Sequence, residues 1–325
     1  MTELLKRLMN TSGVSGREDK IRALIESEIK PYADEITTDN MGNLIARKRG
    51  NGKKIMFCAH MDEIGFFVSY ISSNGMLNVS PVGGINFLAS SFCEVVSENG
   101  VYGVLVPSVK GEIPKGESVC IDIGAKTKRQ AEKKVSVGDY FVVKSSMRRL
   151  MNSKYVGRPF DDRVGCAILI EALKQINEPQ NDLYFVFSVQ EEVGGRGSKP
   201  SSYGISPEIG IALDVTMTSD KPCSPKMTVE LGKGCAIKIK DSGVICHTGL
   251  VKQMREIAEQ NGIKYQNEVL LAGGTDASSM QVAGRGAKAG AISIPSAYIH
   301  TGVEMIDIND VKEAVKLTVA LCKGL

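Results

Sequence analysis

The stretch Lys54-Ile55-Met56-Phe57-Cys58-Ala59 decides the fold of this 325-residue chain. Every residue in it after Lys54 is apolar, so a strand built from it is hydrophobic on both faces. A strand with two apolar faces is typical of a sheet that is covered on both sides, as in α/β proteins. The segment therefore predicts a buried strand at the centre of a layered fold.

Helix and strand patterns alternate on both sides of this segment. Two apolar stripes at helical spacing precede it, and the break between them contains Ser15 and Glu18, which fit a capping box for the second helix. Further along, the patterns predict helices over 164–176, 248–260 and 310–323 and strands over 182–189, 209–215 and 289–294. This alternation predicts an α/β fold with a helix-covered mixed sheet.

The region from residue 66 to residue 155 has a different sequence pattern. Short β-type runs alternate there with Gly, Ser, Asn and Pro, and only 127–134 has the pattern of a helical turn. Closely spaced short strands of this kind predict a small all-β, barrel-like module. We therefore expect an α/β catalytic domain over 1–65 and 156–325, interrupted by an inserted β domain over 66–155.

The composition excludes several classes of protein. With 42% hydrophobic and 24% charged residues, the chain has the make-up of a folded protein and not of a disordered one. A net charge of +3 and the lack of a long apolar run predict no nucleic-acid and no membrane partner. The eight cysteines include no Cys-x-x-Cys pair and the N-terminus has no signal-peptide pattern, so we expect a reducing, cytoplasmic compartment.

The chain has three histidines, His60, His247 and His300. His60 follows the buried strand, and His300 comes shortly after another predicted strand. Because ligands bind at the carboxyl ends of the strands in an open α/β sheet, both are candidate site residues, although either alone is compatible with a turn or cap. His247 enters a predicted helix, and we expect a structural or surface role for it.

Carboxylates occupy similar positions on other elements. Asp161-Asp162 opens a predicted helix, Glu191-Glu192 closes one predicted strand, and Asp214 closes the next. Taken separately, they are compatible with a helix cap, a solvated turn and a single polar strand end. Adjacent carboxylates resist joint ionisation because their negative charges repel. Since all five carboxylates are expected at one edge of an apolar sheet, we infer that cations neutralise them.

Two imidazoles and three carboxylates suit borderline divalent ions such as zinc, cobalt or manganese. One catalytic zinc takes three protein ligands and a water, so five candidates predict two ions that share a carboxylate and activate a bridging water. These five are His60, Asp161, Glu192, Asp214 and His300. Glu191 is left free to transfer protons, and Asp62 can hold the far nitrogen of the His60 ring.

Five blocks of sequence carry a resemblance to a known family. They are Ala59-His60-Met61-Asp62-Glu63-Ile64-Gly65-Phe66, Phe160-Asp161-Asp162-Arg163-Val164-Gly165, Gln190-Glu191-Glu192-Val193-Gly194, Leu213-Asp214-Val215-Thr216 and Tyr298-Ile299-His300-Thr301-Gly302-Val303-Glu304. In order and content they resemble the dinuclear metallo-aminopeptidases of the glutamyl aminopeptidase and tetrahedral aminopeptidase group, whose relatives are sometimes labelled endoglucanases. The resemblance spans nearly the whole chain and includes the β insert.

The resemblance implies an enzyme that removes N-terminal residues from peptides and uses two divalent ions per subunit, zinc or cobalt. It implies that His60, Asp161 and Asp214 hold one ion. Asp161, as the bridge, would hold the other ion together with Glu192 and His300. The β insert is implied to mediate assembly into a homo-oligomer, in some relatives a dodecamer built from dimers.

Three further features follow from the resemblance. Glu191 is implied to be the general base and acid, Asp62 to orient His60, and the Asp161–Asp162 peptide to be cis. The loop Gly273-Gly274-Thr275-Asp276-Ala277 matches the family and makes Gly274, Thr275 and Asp276 candidate substrate contacts. The chain departs from the usual residues at Ser278-Ser279 and Gly195, which puts its substrate preference in doubt.

Other functions stay open at this point. Paired carboxylates also serve glycosidases, which need no metal and would leave His60 and His300 without a role. A metallo-deacylase or carboxypeptidase on the same scaffold would use the same ligands on other substrates. A peptide-binding shell with a vestigial site is a non-enzymatic alternative, although such a shell has no reason to keep all six groups.

Overall fold

The computed structural model describes residues 1–107, 118–222 and 224–325. Its helices are α1 (Thr2–Met9), α2 (Asp19–Ile29), α3 (Phe87–Ser90), α4 (Lys128–Ala131), α5 (Arg163–Leu173), α6 (Ser198–Ile205), α7 (Thr248–Gln260), α8 (Asp276–Val282) and α9 (Ile308–Gly324). The first strands are β1 (Glu35–Thr38), β2 (Leu44–Lys48), β3 (Lys54–His60), β4 (Gly65–Ile71), β5 (Leu77–Val82), β6 (Glu94–Ser97), β7 (Tyr102–Pro107), β8 (Val119–Asp122) and β9 (Tyr140–Val143). The later strands are β10 (Arg148–Arg149), β11 (Lys154–Gly157), β12 (Asp182–Ser188), β13 (Ile209–Thr216), β14 (Cys235–Lys240), β15 (Tyr265–Val269), β16 (Lys288–Ala297) and β17 (Glu304–Asp307).

The larger sheet has eleven strands and is mixed, as predicted. Its main path runs β1-β2-β12-β3-β13-β16-β17-β11-β10, and β14 joins β16 to β15 off that path. The four central strands β12, β3, β13 and β16 are mutually parallel. Their carboxyl ends therefore lie along one edge of the sheet, which is where ligands bind in open α/β folds.

The strand β3 is buried along its whole length after Lys54, as its sequence predicts. Helices α5, α6 and α8 all pack against it. Phe57 of β3 is in register with Phe185 of β12, and the two rings stack with centroids 5.7 Å apart. Burial of large apolar side chains such as these contributes roughly 1.5–3 kcal/mol each to folding. It also stabilises the register of β3 against β12.

The smaller sheet closes on itself as a six-stranded antiparallel barrel in the order β4-β5-β8-β7-β6-β9. Its interior is a separate apolar cluster that includes Phe66, Leu105 and Phe141. The barrel confirms the expectation of a small all-β module. Residues 108–117, in the middle of that region, lie outside the described residues.

Several short elements were not predicted from the sequence. The helix α6 contains Pro200 and Gly204, both poor helix formers, and it forms because its Ser201 and Ile205 are buried by packing on the sheet. The antiparallel strands β11 and β17 are only four residues long, too short for periodicity to identify. Tertiary contacts, and not local propensity, stabilise these elements.

Two expectations about composition can be compared with the structure. The seven cysteines that the structure describes are free, and Cys223 lies outside the described residues. Among the described helices, none combines the length and the hydropathy that crossing a membrane requires.

Candidate metal centre

The sheet brings the five predicted ligands to one place. His60 is the last residue of β3, Asp214 lies near the end of β13, and Glu192 follows β12 after a short turn. His300 comes three residues after β16, and Asp161 lies in the segment between β11 and α5. Parallel neighbours end at the same edge, so four of the five side chains converge for the topological reason inferred from the sequence.

The first group consists of His60, Asp161 and Asp214. The Nε2 atom of His60 is 3.1 Å from Oδ1 of Asp161 and 3.9 Å from Oδ1 of Asp214. Each residue offers one ligand atom, and these atoms lie within 4.8 Å of one another. All three residues are buried, so this group can enclose a cation.

The second group consists of Asp161, Glu192 and His300. The Nε2 atom of His300 is 3.2 Å from Oδ2 of Asp161 and 3.2 Å from Oε2 of Glu192. These ligand atoms also lie within 4.8 Å of one another. Asp161 therefore directs one carboxylate oxygen at each histidine and belongs to both groups.

Asp62 connects His60 to the loop that carries the two glutamates. Its Oδ1 atom is 3.4 Å from Nδ1 of His60 and accepts a hydrogen bond from the backbone N–H of Glu191 at 3.0 Å. Its Oδ2 atom accepts from the backbone N–H of Glu192 at 3.2 Å and from the Ser15 hydroxyl at 2.6 Å. One buried carboxylate thus fixes the position of a ligand and of its neighbouring loop.

The predicted capping box of Ser15 and Glu18 is wrong. The second helix, α2, has Glu18 at its N-cap position but no side-chain cap bond. Instead Ser15 donates to Asp62, and Oε1 of Glu18 accepts from the backbone N–H groups of Gly16 and Gln190. Local spacing indicated a cap, but contacts distant in sequence recruit both side chains to support the site.

The alternative interpretation of Asp161 as a helix cap is also wrong. Asp162 caps α5, since its Oδ1 atom accepts from the N–H of Gly165 at 3.0 Å. The Asp161–Asp162 peptide is cis, as the family resemblance implies. Adjacent aspartates therefore have different roles, and Asp161 is free to face the two histidines.

Glu304 supports the site without having been singled out in the sequence. Its Oε2 atom accepts from the backbone N–H groups of Phe160 at 2.6 Å and Asp161 at 3.1 Å. It is completely buried on β17, with Arg158 at 3.9 Å from its other oxygen. Its place in the last matching block, four residues after His300, was the only available signal.

The electrostatics of the cluster fit divalent cations. Burial and neighbouring carboxylates raise the pKa of Glu191 and of Asp214 well above the ordinary range, against the opposing charge of His60. Burial disfavours the charged form of His300, but hydrogen bonds to Asp161 and Glu192 raise the pKa of that imidazole to about 11. The carboxyl groups of the cluster therefore resist joint ionisation, and bound cations would remove the repulsion between them.

A cavity of about 510 Å³ opens onto the cluster. Glu191 lines it but belongs to neither ligand group, and Gly274 and Thr275 line it as well. Asp276 does not line it. Its buried Oδ2 atom accepts from the hydroxyl of Ser188 and from the thiol of Cys58, at 3.3 Å. The structure thus brings two of the three predicted substrate contacts to the cavity and turns the third towards the sheet.

His247 has the structural role expected from the sequence. It is the N-cap residue of α7, and its Nδ1 atom accepts a hydrogen bond from the N–H of Leu250 at 3.3 Å. It belongs to neither of the two ligand groups found among the described residues.

Comparisons with known proteins match nearly the whole chain. Residues 42–317 match the family model described as M42 glutamyl aminopeptidase. A putative aminopeptidase from Acetivibrio thermocellus is 45% identical over 99% of this chain and 98% of its own length. A lysyl aminopeptidase from Pyrococcus furiosus is 36% identical over 99% of this chain and 97% of its own length.

Solved structures share the fold over the same extent. The TET1 peptidase of Pyrococcus horikoshii, described as assembling into a tetrahedron or a large octahedral shell, matches with a TM-score of 0.90 and 35% identity, over 100% of this chain and 99% of its own. A Thermotoga maritima protein described as an endoglucanase matches with a TM-score of 0.84 and 35% identity, over 98% and 96% of the two chains.

Proposed function

The chain belongs to the M42 glutamyl aminopeptidase family, and on that premise we propose that its cavity is the active site of a two-metal aminopeptidase. The observation that carries the proposal is the position of Asp161. Its two carboxylate oxygens face two different histidines at 3.1 and 3.2 Å. A carboxylate with this geometry can be shared by two cations, whereas one catalytic zinc takes three protein ligands and would leave two of the five groups without a metal.

Five side chains would hold the ions, divided as the two groups are. His60 and Asp214 would serve one ion, Glu192 and His300 the other, and Asp161 both. Nitrogen and carboxylate donors without thiolates favour zinc or cobalt. When bound, such ions would supply the Lewis acidity that polarises the scissile carbonyl and activates the attacking water.

Glu191 would move the proton. It lines the cavity, it belongs to neither ligand group, and its backbone N–H is held by Asp62. Its carboxylate would accept a proton from the attacking water and pass it to the nitrogen of the departing amine.

The loop after β15 would contact the peptide substrate. Gly274 and Thr275 line the cavity, and the Thr275 hydroxyl fixes the end of the loop by accepting from the backbone N–H of Ala277 at the start of α8. We assign Asp276 an indirect part, because its bond with Ser188 ties the start of α8 to the end of β12. The loop is thereby held against the sheet edge that carries the ligands.

The remaining proposals concern organisation. We propose that residues 1–65 and 156–325 form the catalytic domain and that the insert over 66–155 mediates assembly into a homo-oligomer, such as a dodecamer built from dimers. The assembly described for the TET1 relative supports this, as do the exposed apolar side chains of Leu88, Phe92 and Tyr102 within the insert. The free buried thiols support a reducing, cytoplasmic compartment.

Metal analysis beside an activity assay tests the proposal. We expect close to two zinc or cobalt ions per chain. Hydrolysis of aminoacyl arylamides should be lost on chelation and restored by reloading. A glycosidase built on a carboxylate pair would survive the chelator and cleave a glucan, as the label of the Thermotoga relative implies. Activity only on acylated amino acids or on C-terminal residues would favour the deacylase or carboxypeptidase alternative.

A further inference from the structure

The wall of the cavity outside the metal centre is uncharged. Within the part of the chain that the structure describes, the charged or titratable residues lining the cavity are the ligands and Glu191. The rest of the lining is glycine, small polar residues and five apolar side chains. The apolar ones are Val215, Met217, Leu270, Ala272 and Ile299.

Three buried charged residues lie behind Thr216 and are paired with one another. The hydroxyl of Thr216, which lines the cavity, donates to Oε1 of Glu268 at 2.7 Å. Glu268 is ion-paired with Lys238, whose Nζ atom is also 3.4 Å from Oδ2 of Asp241. The side chains of all three are fully buried and do not line the cavity. Because they are buried and do not line the cavity, they present neither a cation nor a carboxylate to a substrate there.

We propose that the cavity selects peptides whose N-terminal side chain is uncharged and apolar, of the size of leucine or methionine. The inference rests on the proposed function and narrows it to a substrate class. A glutamate side chain would enter the cavity without a cation to meet it. A lysine side chain would find only carboxylates that are already committed to the metals and to proton transfer. Burying an unpaired charge is strongly unfavourable, so both classes are disfavoured.

The apolar lining of the cavity also favours the binding of an apolar substrate side chain. Val215 lies near the end of β13 and Met217 directly follows that strand, and the loop after β15 contributes Leu270 and Ala272. An aliphatic side chain that inserts between these two segments removes apolar surface on both partners from water. The selection expected for this chain thus differs from that named for its lysyl relative.

A matched substrate panel tests the inference on the full-length, zinc- or cobalt-loaded protein. The p-nitroanilides of leucine, methionine, glutamate and lysine are compared by kcat/KM at one pH. We expect leucine and methionine to exceed glutamate and lysine by at least about tenfold, the discrimination that a pocket of this kind supplies. Fastest cleavage of the glutamate or lysine compound would overturn the inference alone. Failure to cleave any of the four would overturn the proposed function, and the inference with it.

A charge placed in the wall tests which residues form it. Met217 is 40% exposed at the rim, so substitution there leaves the core intact. Met217→Glu should raise the ratio of lysine to leucine hydrolysis by about tenfold. Met217→Gln introduces a side chain of the same size as glutamate but without its charge. It should leave the ratio of lysine to leucine hydrolysis within about twofold of the parent. Equal effects of the two variants would show that Met217 does not contact the substrate side chain.

Discussion

The two histidines of the proposed metal centre are held in different ways. His60 ends a strand that is buried after Lys54, its side chain is 2% exposed, and its second ring nitrogen faces Asp62. His300 lies on a loop beyond β16, and its side chain is 33% exposed. Its backbone has φ +59° and that of Tyr298 has φ +65°, a left-handed conformation that non-glycine residues seldom adopt.

The difference means that one half of the centre is built by the sheet and the other by a loop. The sheet half consists of His60 and Asp214, which lie on neighbouring parallel strands. The loop half consists of Glu192 and His300, which both follow strand ends. Because unusual loop conformations persist only while surrounding contacts support them, we expect the loop half to bind its ion more weakly.

The largest loss of bound metal and of activity is expected for a substitution of Asp161, which belongs to both halves. Asp161→Asn removes charge from both groups, so neither position keeps its full ligand set. We expect bound metal to fall well below that of the parent and kcat/KM to drop at least about 1,000-fold. Asp214→Asn is the matched variant, since it touches one group and should keep more metal. Equal metal content in Asp161→Asn and the parent would exclude a bridging role.

The next effect separates proton transfer from metal binding. Glu191→Gln should lower kcat by about 100- to 10,000-fold, because the amide cannot accept the proton. Elemental analysis should find both ions retained, since Glu191 lies outside both ligand groups. Near-normal turnover would contradict the assignment, and lost metal would place Glu191 among the ligands.

Graded chelation tests the comparison directly. With increasing chelator, the parent should release one ion before the other, with affinities that differ by about tenfold or more. His300→Ala should keep about one ion per chain and bind it as the tighter site of the parent does. His60→Ala should lose that tighter ion and unfold at a lower temperature, because its side chain is buried. A single release step from the parent would show that the halves are equivalent.

The smallest effect on metal affinity is expected for Ser15, whose hydroxyl donates to Asp62 beside the sheet half. Ser15→Ala removes the hydroxyl that donates to Asp62 and leaves a buried carboxylate with one partner fewer. We expect the affinity of the tighter ion to fall by about tenfold, with kcat nearly retained once metal is saturating. Ser27→Ala, an exposed serine on α2 that bonds only to a local carbonyl, is the control and should leave both unchanged. A loss of kcat at saturating metal would point to a role beyond metal binding.

Sequence reasoning was most successful where one strong local signal recurred. The apolar run of β3 predicts the buried strand, and residues at successive strand ends predict the convergence of His60, Asp214 and Glu192. It failed for Ser15 and Glu18, where local spacing fitted a helix cap but the side chains contact Asp62 and Gln190 instead. Contacts between residues more than 40 positions apart in the chain produce no periodic pattern in the sequence.

The chain by itself determined the buried central strand of a helix-covered mixed sheet, the barrel-like insert and the chemical type of the site. Those features depend on hydrophobic periodicity and on residue type, both of which are local properties. Only the tertiary structure decided that Asp161 faces both histidines while Asp162 caps α5. Only it decided that Glu304 holds the Asp161 backbone and that the cavity wall carries no free charge among the described residues. These are matters of distance between elements remote in sequence, which packing sets.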